Sequence, residues 1–113
     1  MKIESYNFGS IVINGRHYSN DVIIFPNRVK GDWWRRSGHE LCLQDLEEVL
    51  KENLDTLVVG TGASGLMKVL PETKTFLESK GIRLIIKDTE EACRTFNQIR
   101  DSGRVIAALH LTC

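Results

Sequence analysis

Thr56-Leu-Val-Val-Gly-Thr-Gly-Ala-Ser-Gly65 is the stretch from which the rest of the chain is read. Its apolar run Leu57-Val58-Val59 has the length and β-branched content of a buried strand. The run feeds directly into Gly60-Thr-Gly-Ala-Ser-Gly65. Glycines let a backbone take positive φ and bring its N–H groups close to another segment or to an anion. The spacing is G-x-G-x-x-G, the dinucleotide fingerprint, and in a cofactor site it must open a helix facing the pyrophosphate. Asp88 stands at the end of the next strand, where such a site keeps its ribose-binding acid. Pro71, however, falls where the third turn of that helix needs a backbone N–H, and it suits the start of a separate helix. Leu66 occupies the lysine position of a P-loop. The stretch is therefore read as a strand and a structural turn. A small anion at the N–H groups of Thr61–Ser64 stays open as the alternative.

Outward from it, helix and strand alternate. Pro71 opens a helix with Phe76 and Leu77 inward and Gly81 as its stop, and Ile82–Ile86 is the next strand. Asp88, three residues before Glu91, forms a capping-box pattern for a third helix that buries Ala92, Phe96 and Ile99. Arg104–Leu109 is the last strand. Upstream, Leu43, Leu46, Val49 and Leu50 predict an amphipathic helix over residues 43–53. Strand–helix–strand–helix–strand from residue 56 implies right-handed crossovers and a largely parallel sheet, with Val58, Ile85 and Ile106 in its core beneath the third helix. The first forty residues are β-rich. Ser10-Ile-Val-Ile-Asn-Gly15 carries an Asn-Gly hairpin signal with Arg16-His-Tyr18 as its return, and Asp21–Phe25 is a strand stopped by Pro26-Asn27. The expectation is one α/β domain over residues 1–113, with the hairpin material extending the sheet or covering a face.

Composition narrows the function more by exclusion. Fifteen basic side chains balance fifteen acidic ones, so no global field draws the chain to nucleic acid or to an anionic membrane. The longest apolar runs, Val22-Ile-Ile-Phe25 and Val105-Ile-Ala-Ala-Leu109, fall far short of a membrane span. The opening Met1-Lys-Ile-Glu-Ser-Tyr has no apolar signal region. Cys42, Cys93 and Cys113 have neither zinc nor paired spacing, which fits reduced thiols and a cytoplasmic setting, with Cys42 and Cys93 packed as small hydrophobes. His17, His39 and His110 lack metal-ligand spacing, and no Ser or Cys lies in a nucleophile elbow. No catalytic residue, metal or cofactor is expected. Arg28, Lys30, Arg35 and Arg36 around Trp33-Trp34 form either a stacking surface for single-stranded nucleic acid or a protein–protein hot spot. Charge neutrality favours the second reading, with one tryptophan in the core and the other partly exposed. A protein partner is expected, no nucleic acid, and the oligomeric state is left open.

Three features resemble one family of small single-domain proteins. They are Trp34-x-x-x-Gly38-His39 before an acidic helix, the strand running into Gly60-Thr-Gly62, and Asp88-Thr-x-x-Ala-Cys-Arg-Thr-Phe-Asn97 followed by Gly103-Arg104-Val105-x-Ala-Ala-Leu109. That family includes the adipogenesis-associated domain-containing protein, an assembly factor of mitochondrial respiratory complex I and many microbial members. The resemblance implies a three-layer α/β fold, a central mixed sheet with helices on one side and β-hairpin material on the other. It implies no established enzymatic activity, its known members acting through assembly or regulation. Phe96 stands where the family commonly has tyrosine, and no mitochondrial presequence is expected here, so the complex I role does not carry over. The resemblance also draws attention to Thr95, Asn97 and Arg104, for which structural roles are expected. Thr95 bonds a preceding turn's carbonyl, Asn97 satisfies backbone groups of a neighbouring loop and Arg104 caps a helix end, with a shared crevice near the Gly60–Gly65 turn as the alternative. The expected function is thus a non-enzymatic interaction or assembly module using Trp33, Trp34, Arg35 and Arg36. The alternative is a binder of a small anionic ligand (nucleotide or phosphate), or an enzyme, built on Gly60, Thr61, Gly62, Ser64 and Arg104.

Overall fold

The computed structural model describes residues 1–113. The chain opens with an antiparallel meander of β1 (Ile3–Asn7), β2 (Ser10–Ile13) and β3 (Arg16–Tyr18), and Asn14-Gly15 makes its second turn with both φ angles positive. β4 (Val22–Ile24) turns at Pro26-Asn27 and returns as β5 (Val29–Lys30). An irregular segment then reaches β6 (Glu40–Leu41), a 3-10 turn (Leu43–Leu46) and the single-turn α1 (Glu47–Leu50). β7 (Thr56–Thr61), β8 (Lys68–Val69), α2 (Pro71–Ser79), β9 (Arg83–Lys87), α3 (Thr89–Ile99) and β10 (Val105–His110) follow.

The central sheet has the order β5-β4-β10-β7-β9. β10–β7 and β7–β9 pair in parallel, whereas β10–β4 and β4–β5 are antiparallel. The sheet is mixed, and the largely parallel reading holds only for its second half. The tight reversal at Pro26-Asn27 joins two short strands, and such a turn can only connect antiparallel neighbours.

The helices divide between the two faces instead of sharing one. From β7 the chain moves outward to β9, then back across β7 to β10. Two right-handed crossovers made in opposite directions place their helices on opposite faces. One core accordingly joins Val58, Ala107, Leu109, Val22 and Ile24 to Ala92 and Phe96 of α3 and to Ile3, Ile11 and Ile13 of the meander. The other joins Leu57, Val59, Ile106, Ala108 and Ile23 to Leu77 of α2, Leu46, Val49 and Trp33. Ile106 therefore lies on the face away from α3. In a strand the side chains alternate, and its neighbours Val105 and Ala107 hold the α3 side. Ile85 and Ile99, expected in the core, pack half-buried against it.

Local details follow from particular hydrogen bonds. Asp88 caps α3 by accepting from the Glu91 N–H at 3.0 Å, but the Glu91 carboxylate pairs with Arg94 instead of completing the box. The helix expected over 43–53 is a 3-10 turn over Leu43–Leu46 followed by one α-turn ending at Leu50, with Asp45 accepting from the Cys42 N–H and the Cys42 thiol at its start. Cys93 is buried against α3's core, and burial pushes its thiol up to about 12. Phe96 is almost fully buried.

Candidate functional site

β7, β9 and β10 run in the same direction, so their C-terminal ends at Thr61, Lys87 and His110 gather on one edge of the sheet. Open α/β sheets bind ligands at such edges. The glycine turn lies there, packed against its own chain. Gly62 has φ of 109°, and a Cβ on it would overlap the Cys113 carbonyl. A Cβ on Gly60 would come within 2.9 Å of both Leu109 Cδ2 and Thr89 Oγ1. Most of the turn's N–H groups are occupied as well. Gly62 donates to Thr89 Oγ1 (2.8 Å), Ala63 to the Thr112 carbonyl (2.6 Å) and Leu66 to the Cys113 carbonyl (3.0 Å). Gly65 donates to the Gly62 carbonyl, and the Thr61 hydroxyl donates to the Lys87 carbonyl. Ser64 is exposed at the tip.

Arg104 does not join this turn. It precedes β10 at the opposite end of the strand, where its N–H donates to Asp55 Oδ2 at 2.9 Å. Six strand residues separate it from the turn, about 20 Å at 3.3 Å per residue. Asn97 is likewise engaged elsewhere. Its carboxamide accepts from the Ile3 N–H (2.9 Å) and donates to the Ile3 carbonyl (2.7 Å), which clamps β1 to α3. Thr95 is half-buried on the same helix. The structure therefore draws Thr95, Asn97 and Arg104 away from a shared crevice near the glycine turn, because α3 and β10 each span the full height of the sheet.

The Trp33–Arg36 segment sorts residue by residue into inside and outside. Trp33 is 3% exposed and belongs to the second core, with its indole Nε1 donating to the Asp45 carbonyl at 2.9 Å. Trp34 points the other way and is 75% exposed. The Arg35 side chain is 5% exposed, its guanidinium stacked 4.7 Å from the Trp33 ring centroid. Arg36 is exposed, and its N–H donates to Asp45 Oδ1. Of the four, only Trp34 and Arg36 face solvent as a docking surface must.

Arg35 belongs to a cluster that sequence reasoning missed. Its Nη1 lies 2.9 Å from Asp21 Oδ2, and its Nη2 donates to the Gly38 carbonyl at 3.3 Å and lies 2.9 Å from His110 Nδ1. His110 Nδ1 is also 2.8 Å from Asp21 Oδ2, and the Leu111 N–H donates to Asp21 Oδ1 at 2.7 Å. Burial works to raise the Asp21 carboxyl, but the bonds from His110 and Leu111 and the nearby cations outweigh it and hold the group below its ordinary value. Asp21 and His110 each border an apolar strand run, which was the available signal; nothing in the sequence shows that β4 and β10 are neighbours. A cavity of about 290 Å³ opens beside the cluster, walled also by Asn20, Trp34 and Thr112.

Three of the exposed large apolar side chains collect around the segment Leu111–Cys113 on this edge. The Gly9 N–H beside Phe8 donates to the Leu111 carbonyl, Leu66 bonds Cys113, and Trp34 shares a cavity wall with Thr112.

A family model described as a protein of unknown function (DUF498/DUF598) matches residues 3–110. The chain belongs to this family. The DUF498/DUF598 relatives it resembles include the NADH dehydrogenase [ubiquinone] 1 alpha subcomplex assembly factor 3 of Xenopus tropicalis and that of Homo sapiens. Each is 30% identical over 96% of this chain, and the match covers 59% of each relative, so the chain spans about three-fifths of their length. A conserved hypothetical protein from Pyrococcus horikoshii OT3 shares the fold with a TM-score of 0.87 and 34% identity, covering 100% of both chains.

Proposed function

We propose that this chain is a non-enzymatic assembly module that binds a protein partner through the carboxyl edge of its central sheet. Trp34 is the anchor, with Arg36, Phe8 and Leu66 around it. The observation that carries the reading is the exposed Trp34 indole on a backbone fixed from both sides, by the buried Trp33 before it and the buried Arg35 after it. An exposed indole on a fixed backbone loses only side-chain freedom when a partner covers it, and Trp and Arg dominate interface hot spots. The names of the relatives, assembly factors, agree with this class of function. In this reading Gly60, Thr61, Gly62 and Ser64 support the edge from behind, and no helix is long and apolar enough to cross a membrane.

The test is Trp34→Ala in a quantitative capture of the native partner, beside Trp33→Ala as a folding control. Trp34→Ala should weaken capture by about 2 kcal/mol or more, a hot-spot effect, while its stability stays within about 0.5 kcal/mol of the parent. Full retention of the partner by Trp34→Ala refutes the docking reading.

A further inference from the structure

The Asp21–Arg35–His110 cluster has more donors than acceptors. Asp21 contributes two carboxylate oxygens, of which Oδ1 takes the Leu111 N–H and Oδ2 faces both Arg35 and His110. His110 Nδ1 touches both partners, yet it holds one proton or one lone pair and can serve only one of them as a good hydrogen bond. Arg35 Nη1 meets Asp21 as an ion pair, off the direction of its N–H bonds. Arg35 Nε and His110 Nε2 are buried and find no partner in the protein. Unsatisfied buried polar groups are rare in native folds, and each costs about 1–3 kcal/mol. Here they belong to two basic side chains in the wall of one cavity, at the edge where α/β sheets take ligands.

From this donor excess we propose that the cavity is a binding site for an oxyanion, a carboxylate or phosphate group on a small organic stem. One anionic oxygen pair supplies what the cluster lacks: acceptors for Arg35 Nε and Nη1, donors on a guanidinium that takes such groups bidentately, and for His110 Nε2 when the ring, giving its Nδ1 proton to Asp21, carries its second proton. Asn20 and Thr112 offer an amide and a hydroxyl at the rim, and the Trp34 ring forms a wall for the stem. The side chain of Trp34, a residue 75% exposed, is the part of the cavity wall that turns aside to admit a ligand toward the buried nitrogens, while the backbone on either side stays held. The site is separate from the glycine turn, whose Gly62, Ala63, Gly65 and Leu66 N–H groups already have protein acceptors, and it does not depend on the docking role of Trp34.

The probes are inorganic phosphate and benzoate, titrated against the intact chain at constant ionic strength, with sodium chloride as the blank. Trp fluorescence and thermal melting report binding. At least one probe should give a saturable response that chloride does not. A phosphate response alone assigns a phosphorylated ligand, and a benzoate response alone assigns a carboxylate on an apolar stem. Arg35→Lys keeps the charge but loses the planar fork and should weaken binding about tenfold; His110→Gln is the parallel variant should Arg35→Lys not fold. Asp21→Asn removes the competing carboxylate and should tighten binding about tenfold, which a purely structural cluster has no reason to do. The proposal is overturned by silence of both probes up to about 10 mM, a very weak affinity. It is equally overturned by a response that Arg35→Lys and His110→Gln leave unchanged.

Discussion

Gly62→Ala separates a turn built to hold the chain's own segment from a turn held open for a ligand. Two penalties follow from the structure. An alanine at φ of 109° is strained by roughly 1–2 kcal/mol, because its Cβ meets the neighbouring peptide oxygen. The same Cβ overlaps the Cys113 carbonyl, so Thr112-Cys113 must lift away. Lifting it breaks the bonds from the Ala63 and Leu66 N–H groups, each worth about 1 kcal/mol net. The total is about 3–4 kcal/mol, a large part of the ~5–15 kcal/mol that holds a domain folded. Urea melts of four proteins measure it: the parent, Gly62→Ala, a chain ending at Leu111, and the combination. Without residues 112 and 113 there is nothing to overlap, so the alanine should then cost only its backbone strain. A coupling of about 2 kcal/mol between the two changes is expected. Additive effects, or a Gly62→Ala protein within about 0.5 kcal/mol of the parent, would refute the packing argument.

Phe96→Ala empties the site where α3, the meander and the central strands meet, and should lower the unfolding free energy by about 3–5 kcal/mol in a denaturant melt. Asp21 ionises more readily folded than unfolded, so its stabilisation is complete above its unfolded value near 3.9 and fades as pH falls through the lower folded value. Asp21→Asn should therefore reduce stability at pH 7, by about 3–5 kcal/mol because Arg35 is left unpaired, and flatten the acid limb of the stability–pH curve. With its thiol pushed up to about 12 and its side chain buried, Cys93 should resist an aqueous thiol reagent that labels the exposed Cys113, as peptide mass spectrometry of the native protein would show.

The second half of the fold was legible because its signals are local. Leu57-Val58-Val59, Pro71, Asp88 and the Ala92–Phe96–Ile99 stripe each declare an element within a few residues. The faces were not legible, because they depend on strand order, and no residue records that β10 inserts between β4 and β7. That one fact moves Ile106 away from α3 and puts α2 on the far face. The site shows the same division. The exposure of one tryptophan and burial of the other could be anticipated from an adjacent pair in an irregular segment, since neighbouring side chains diverge. Asp21, Arg35 and His110 come from three distant segments, and no spacing rule connects them. Arg104 failed for a related reason: in the sequence it borders the same strand as His110, but a strand has two ends.

The bonds from Ala63 and Leu66 to Thr112 and Cys113 also fix where anything joined to residue 113 must emerge. It leaves between the glycine turn and the Trp34 cavity, across the surface proposed for docking. Met1 sits at the other edge, its carbonyl accepting from Arg100 Nη1 at the far end of α3. The molecule therefore has a blocked side and an open side for immobilisation: a tether on Met1 presents the carboxyl edge to solvent, and a tether on Cys113 covers it.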